Sequence, residues 1–143
     1  MRIGLTYDLQ TNPADVRQAE FDPPATIDAL HAALEQLGHR VTPLGGAHDL
    51  LNAPGRLQEV DLVFNIAEGS HGRCREAWVP MLLEQWGVPF IGSGSAAQAL
   101  ALDKVMSKRL AKATGLRTPS WQVVGRPEDA ALACELQFPL IVK

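Results

Sequence analysis

Charged side chains in two segments of the chain are of types that recognise amino acids. Glu20 lies in a polar stretch after the first apolar run, and Glu68 and Arg73 flank a glycine-rich segment that begins at Gly69. A pair of carboxylates suits an ammonium group, and the fork of an arginine suits a carboxylate. An amino acid or short peptide is therefore the preferred ligand class. The alternative is that these charges pair with one another on the surface, where an ion pair contributes roughly 0 to 1 kcal/mol.

Basic side chains are concentrated near the end of the chain. Residues 1–100 contain six Arg, no Lys and twelve acids, whereas residues 101–143 contain seven basic residues and four acids. Such a run is either a solvated helix face or a site for anions, and on residue type alone the solvated face is favoured. By the same reasoning Lys104 belongs to that face, and Lys143 is a solubilising residue at the end of an apolar strand.

Three other candidates favour plain structural interpretations. Residues 92–95 have neither of the glycine spacings typical of phosphate loops, so they predict a tight turn with a serine cap. His71 has no second ligand at metal-binding spacing, and Cys74 lies in no recognisable nucleophile motif. Cys74 and Cys134 offer neither a zinc set nor a disulfide framework. These residues predict no metal site.

Composition excludes several classes of protein. With 46% hydrophobic and 20% charged residues, the chain can bury a core. It contains no apolar run of membrane-spanning length, and Asp8 interrupts the first apolar stretch before a signal-peptide core could form. A net charge of -3 and a pI near 5.8 argue against nucleic-acid binding. We therefore expect a soluble, cytoplasmic protein that binds neither membranes nor nucleic acid.

Hydrophobic periodicity predicts the elements that would position the charged residues. Strands that alternate with helices indicate βαβ units and a doubly wound parallel sheet in three layers. Ligands of such sheets bind at the carboxyl ends of the strands. Glu20, Glu68, Gly69 and Arg73 follow the first and third strands and are therefore expected to converge. The predicted strands are 2–7, 40–44, 61–66 and 88–91, and the predicted helices are 24–34, 47–57 (short and broken), 76–86, 95–102 and 103–114.

Two further segments carry specific expectations. The loop 8–23 is too long and too polar for a simple connection, which predicts either a disordered excursion or a functional flap. Beyond Pro119 the pattern starts afresh, with a strand at 121–124, a helix at 127–136 and a strand at 139–143. A terminal apolar strand without a following partner leaves an unprotected edge. We therefore expect a truncated chain.

Four motifs in order along the chain resemble the D-alanine:D-alanine ligase family of ATP-grasp enzymes. They are residues 61–65 before a glycine loop, 82–93, 102–108 and 138–143. The resemblance covers about residues 60 to 143 well and the first 60 loosely. It implies a Rossmann-like α/β domain that precedes the ATP-grasp domain over residues 1–102, and the opening segment of the ATP-grasp nucleotide-binding domain over residues 103–143.

The resemblance also implies an activity and its cofactors. The family uses ATP to phosphorylate a carboxylate, and an amine then displaces phosphate from the acyl phosphate. Lys104 and Lys143 match family lysines that contact the nucleotide, and both suit polyphosphate as point charges. The magnesium ligands of the family lie downstream of Lys143, so this chain would hold no catalytic or metal-ligating residue and would be inactive alone. The implied partners are ATP, Mg²⁺ and a small amino acid or short peptide, with a homodimer as an assembly to test.

Departures from the family pattern bear on the substrate. A glutamate in the first loop of the family holds the ammonium of the first amino acid, and Glu20 is its counterpart after a longer loop without the usual glycines. The family usually has a histidine where this chain has Glu68, and residues 72–76 replace an acidic run. These changes predict a related ligase of other specificity than D-alanine. The alternative from a different class is a non-catalytic Rossmann-like binding or regulatory domain.

Overall fold

The computed structural model describes residues 1–133 and 135–142. The chain forms two compact units, Met1–Asp103 and Lys104–Lys143. The division falls one residue after the predicted boundary at 102, and the assignment of the units to the domains of a family stays a prediction. No helix within the described ranges combines the length and the apolar character needed to cross a bilayer.

The first unit is built on a four-stranded sheet in which every neighbouring pair of strands is parallel. The strands are β1 (Arg2–Thr6), β2 (Arg40–Gly45), β3 (Leu62–Asn65) and β4 (Phe90–Ile91), in the spatial order β2-β1-β3-β4. β1 is central, because Gly4 pairs with Thr42 of β2 on one side and with Val63 of β3 on the other. The predicted parallel α/β sheet is confirmed.

Helices cover both faces of this sheet. The connection from β1 to β2 runs towards one edge, and the connection from β2 to β3 runs back across β1. Because such crossovers are right-handed, the first helix and the next two lie on opposite faces, which gives three layers. The helices are α1 (Pro24–Gln36), α2 (Ala47–Asn52), α3 (Trp78–Trp86), α4 (Ser95–Leu102) and, in the second unit, α5 (Lys104–Ala113).

The main core lies on the sheet face that carries α2 and α3. Gly4 is needed there, since a Cβ at this position would lie 2.4 Å from the Cδ1 atom of Leu44. Alternation along β1 then places buried Ile3 and Leu5 on the opposite face. The core cluster consists of Leu44, Leu50, Leu57, Val60, Val63, Ala67, Val79 and Leu83.

Helix α3 illustrates how the sequence sets the ends of an element. Pro80 lies in its first turn, where the missing N–H has no helical partner to lose. Gly87 ends the helix in the left-handed region, at a φ of +67°. The predicted helix at 76–86 is therefore confirmed, with its first residues forming the short 3₁₀ helix Arg75–Ala77.

In the second unit the predicted helix at 103–114 is found as α5, but the elements predicted after Pro119 are not. Residues 121–124 form no strand, the described part of 139–143 forms none, and the segment 127–136 contains only the 3₁₀ turn Pro127–Asp129 within its described residues. A strand needs a hydrogen-bonded neighbour. The described part of this unit supplies none, and a short helix without packing is marginal.

Two adjacent leucines of α2 allow a matched test of the core. Leu50 is 1% exposed and Leu51 is 46% exposed. We expect Leu50→Ala to lower the free energy of unfolding by about 2 to 5 kcal/mol, because it removes buried apolar atoms and leaves a cavity. Leu51→Ala should cost about 1 kcal/mol or less. Urea unfolding measures both, and equal losses would contradict the described packing.

Candidate functional site

The carboxyl ends of β1 and β3 form the topological switch point of the sheet. These strands are neighbours, but the chain leaves β1 towards α1 on one face and leaves β3 towards α3 on the other. In open α/β sheets generally, ligands bind at the strand ends between two such loops. The polar residues that follow β1 and β3 are therefore expected to meet at this point of the sheet edge.

The last residues of the two strands are tied by a buried polar contact. The Oγ1 atom of Thr6, which is fully buried, donates to Oδ1 of Asn65 at 2.8 Å. The same oxygen accepts from the backbone N–H of Ala67 at 3.2 Å. The buried hydroxyl is thus satisfied, as a buried polar group must be. The start of the loop after β3 is fixed to the end of β1.

Two residues beyond Thr6, Asp8 joins the two loops directly. Its Oδ2 atom accepts from the backbone N–H of Gly69 at 2.7 Å. Gly69 adopts a φ of +71°, and a Cβ there would lie 2.3 Å from the carbonyl oxygen of Arg75. A side chain at position 69 is therefore excluded by both strain and space. The predicted site residue Gly69 acts here through its backbone.

The loop 8–23 is ordered by hydrogen bonds between its ends. The N–H of Asp22 donates to the carbonyl of Asp8 at 3.1 Å, and the N–H of Gln10 donates to the carbonyl of Asp22 at 2.8 Å. Within the loop, the amide oxygen of Gln18 accepts from the N–H groups of Thr11 and Asn12. The disordered alternative is therefore wrong, and a role as a flap stays a prediction.

The two loops bring together a cluster of carboxylates around one arginine. Arg75 is paired with Glu20 and lies 3.6 Å from Glu76, measured between Nη2 and Oε1. Burial raises the pKa of half-buried Glu68, and the charges of Glu76, Glu20 and Asp22 raise it further, while Arg75 lowers it. A nearby cation stabilises the ionised form of such a carboxyl. The arrangement can therefore bind an ammonium group.

The predicted arginine, Arg73, pairs with a carboxylate that is not one of this cluster. Arg73 is paired with Asp103, and its side chain is 83% exposed. Arg75 takes the position beside Glu20 instead, with its side chain 22% exposed. Sequence reasoning missed Arg75, although one signal was present. Arg75 opens the segment that leads into α3, so its backbone is anchored, whereas Arg73 lies in the loop before it.

The predicted nucleotide lysines lie in the second unit. Lys104 is the first residue of α5 and is exposed. Lys143 lies outside the described residues, so its predicted role has no structural description. Among the residues that the structure describes, no group of three or more His, Cys, Asp or Glu side chains is suited to a metal ion.

The turn after β4 is capped by a carboxylate from α3. Glu84 accepts from the backbone N–H of Ser95 at 2.8 Å and from its hydroxyl at 2.5 Å. These hydrogen bonds lower the pKa of Glu84. Gly94 occupies the N-cap position, so the predicted serine cap is replaced by Glu84. The N–H of Ser95 therefore already binds an internal anion.

The raised pKa of Glu68 gives a testable pH dependence. The folded protein holds this proton more tightly than the unfolded chain, whose carboxyl has its ordinary pKa of 4.5. The contribution of Glu68 to stability is therefore present below that value and is lost as the pH rises through the folded pKa. We expect the unfolding free energy of the wild type to fall, relative to that of Glu68→Gln, from about pH 4.5 towards neutrality.

Urea unfolding across this pH range measures the difference, with Glu59→Gln at an exposed site as the matched control. A constant difference between wild type and Glu68→Gln would contradict the environment described for Glu68.

Known proteins resemble this chain in sequence and in fold. No family model matches the chain. It is 40% identical over 121 residues to the D-alanine--D-alanine ligase of Gloeobacter violaceus, covering 80% of this chain and 38% of that protein. It is 36% identical over 123 residues to an uncharacterized protein of Sinorhizobium fredii, covering 81% of this chain and 36% of the relative. The chain thus spans little more than a third of the length of these relatives.

A solved structure supports the fold independently. The D-alanine--D-alanine ligase from Bacillus anthracis complexed with ATP matches with a TM-score of 0.63 over 85% of this chain and 39% of that one. Its sequence identity of 22% supports the fold alone. The chain is therefore similar in sequence to a part of the D-alanine--D-alanine ligases, the family that its four ordered motifs resemble, and it shares an α/β fold with the solved ligase.

Proposed function

We propose that this chain supplies the amino-group-binding part of an ATP-dependent carboxylate–amine ligase. The observation that carries the proposal is the half-buried carboxylate of Glu68 at the switch point, with Glu20 and Asp22 close enough to raise its pKa. The relatives at 36–40% identity named D-alanine--D-alanine ligases support the reaction class. A carboxylate cluster at the carboxyl ends of the strands suits a ligand that brings a positive charge.

The chemistry decides which substrate this cluster holds. In the proposed reaction, the γ-phosphoryl group of ATP is transferred to a carboxylate oxygen, which leaves ADP and an acyl phosphate. The lone pair of an amine then attacks the acyl carbon, and inorganic phosphate leaves. An ammonium held among carboxylates has no free lone pair. The cluster therefore holds the amino acid whose carboxylate is activated, and it orients that amino acid without acting as a base.

The substrate class is a small amino acid or a short peptide with a free amino group. Glu68 replaces the usual histidine of the family, which adds a second carboxylate beside Glu20. The predicted receptor for the substrate carboxylate, Arg73, is paired with Asp103. We propose that the ammonium is the main feature recognised by this chain, and that the specificity differs from that for D-alanine.

The nucleotide side of the proposal rests on the resemblance. We propose that Lys104 and Lys143 face the polyphosphate of ATP, that the segment 103–143 opens the nucleotide-binding domain, and that Mg²⁺ is held by ligands downstream of Lys143. A cytoplasmic location and a homodimer complete the proposal, and light scattering on the purified protein tests the dimer.

A chimaera tests the function. In the Gloeobacter violaceus ligase, the matched segment is replaced by this chain, and ADP release is measured with a panel of amino acids. We expect amino-acid-dependent ADP release that Glu68→Gln lowers about 10- to 100-fold in kcat/KM for the amino acid, since hydrogen bonds to charged groups contribute about 1.5 to 3 kcal/mol. Glu59→Gln is the control. The 143-residue chain alone should release no ADP.

Calorimetry on the 143-residue chain distinguishes the outcomes. Binding of an amino acid by the chain, together with a folded chimaera that never releases ADP, would favour a non-catalytic binding domain. A chimaera whose Glu68→Gln variant responds to amino acids like its parent would remove Glu68 from the site.

Lys104 and Lys143 are tested through the kinetic constants for ATP. We expect Lys104→Met and Lys143→Met in the chimaera to raise the KM for ATP or to lower kcat, with the KM for the amino acid unchanged, because each would lose a charge that faces phosphate. Lys112→Met in the last turn of α5 is the matched control. Unchanged ATP kinetics in both variants would mean that these lysines form a solvated surface.

A further inference from the structure

We propose that Arg75 is the positioning residue of the ammonium site, which it assembles by holding Glu20 of the first loop against the loop after β3. The proposal rests on the proposed function, because it assigns a role at the same site. Arg75, rather than Arg73, is the arginine of the ammonium site. Its role is to hold the carboxylates of the protein in place and not to bind the carboxylate of the substrate.

The first support is a closed ring of contacts across the switch point. Asp8 accepts from the N–H of Asp22 with its carbonyl and from the N–H of Gly69 with its side chain, at 3.1 and 2.7 Å. A Cβ on Gly69 would lie 2.3 Å from the carbonyl oxygen of Arg75, so the two backbones are close, and the guanidinium of Arg75 donates to Glu20. Glu20 is two residues from Asp22, so the ring closes. Arg75 and Glu20 add to this ring a link between two side chains, one from each loop.

The second support is the different setting of the two arginines. The side chain of Arg75 is 22% exposed, and both carboxylates that it approaches, those of Glu20 and Glu76, belong to the site. The side chain of Arg73 is 83% exposed and pairs with Asp103, the last residue of the first unit. Each pair joins an exposed and a less exposed side chain, since Glu20 is 63% and Asp103 is 15% exposed, but Arg75 approaches two carboxylates of the site and offsets their mutual repulsion. Arg73 is therefore a matched control for Arg75.

The third support is the balance of charge at Glu68. Among the described residues, the charges that act on Glu68 are the carboxylates of Glu76, Glu20 and Asp22 and the guanidinium of Arg75. Asp8 faces the same loop through its hydrogen bond to Gly69. Arg75 thus opposes the repulsion that would keep Glu68 protonated. An ammonium needs the ionised carboxylate, so Arg75 extends binding to lower pH.

The test uses the 143-residue chain with D-alanine, L-alanine and methylammonium as probes. Side-chain carboxyl titrations followed by carbon NMR give the pKa of Glu68, and calorimetry from about pH 5 to 8 gives probe affinity. In Arg75→Met we expect an upward shift of the Glu68 titration and of the acid limb of binding. Affinity near pH 6 should fall about tenfold, less than the loss from Glu68→Gln. Arg73→Met should match the wild type.

Two more variants keep the test decisive. Arg75→Lys retains the charge without the fork, so it should restore the Glu68 titration while amide signals of residues 8–23 stay shifted. Glu20→Gln removes a negative neighbour and should shift the Glu68 titration downwards. If Arg75→Met does not fold, these two variants decide the matter, and wild-type titrations in both would overturn the proposal.

The outcomes also separate this inference from the proposed function. If the wild type binds none of the probes and the chimaera is inactive with every amino acid, the proposed function fails, whereas the NMR titrations still report on Arg75. If the probes bind and Arg75→Met titrates and binds like the wild type, the positioning role is wrong and the proposed function stands.

Discussion

The hydrogen bond from the N–H of Gly69 to the carboxylate of Asp8 is the contact on which the rest of the site depends. β1 and β3 are neighbours, but their loops leave towards opposite faces, and the described pairing of the two strands ends at Thr6 and Asn65, before those loops. Asp8 lies immediately beyond the last pairs of β1, and it also binds the N–H of Asp22 through its carbonyl. One residue thereby links the backbones of both loops, on which their carboxylates are carried.

The carboxylate cluster itself opposes the stability of the fold. Carboxylates gathered at a half-buried position repel one another, and the raised pKa of Glu68 expresses that repulsion together with burial. Stability alone would favour fewer acids there, and perturbed carboxyls of this kind concentrate at functional sites. The core of α2 and α3, with Leu50 and Leu83 almost fully buried, supplies the rigid support that allows the conflict to persist.

Sequence reasoning succeeded where a period or a fixed backbone conformation determines structure. The alternation of apolar strands with periodic helices predicted the sheet, and Gly87 marked the end of α3. It also predicted the edge of the sheet at which Glu20 and Glu68 meet. It did not single out Arg75, because the direction of a loop side chain depends on contacts from distant segments and not on spacing. The strands predicted after Pro119 failed for a related reason, since strand propensity produces no strand without a neighbour.

The closure of the first loop bears on how such a site diversifies. The backbone pairing of Asp8 and Gln10 with Asp22 fixes the two ends of the loop, while the residues between them bond mainly to one another, as Gln18 does with Thr11 and Asn12. Loop-closure entropy grows slowly with length. Insertions or deletions between these ends can therefore accumulate at small thermodynamic cost while Glu20 keeps its place. A scaffold of this kind can acquire new substrate preferences through its loop without rebuilding its sheet.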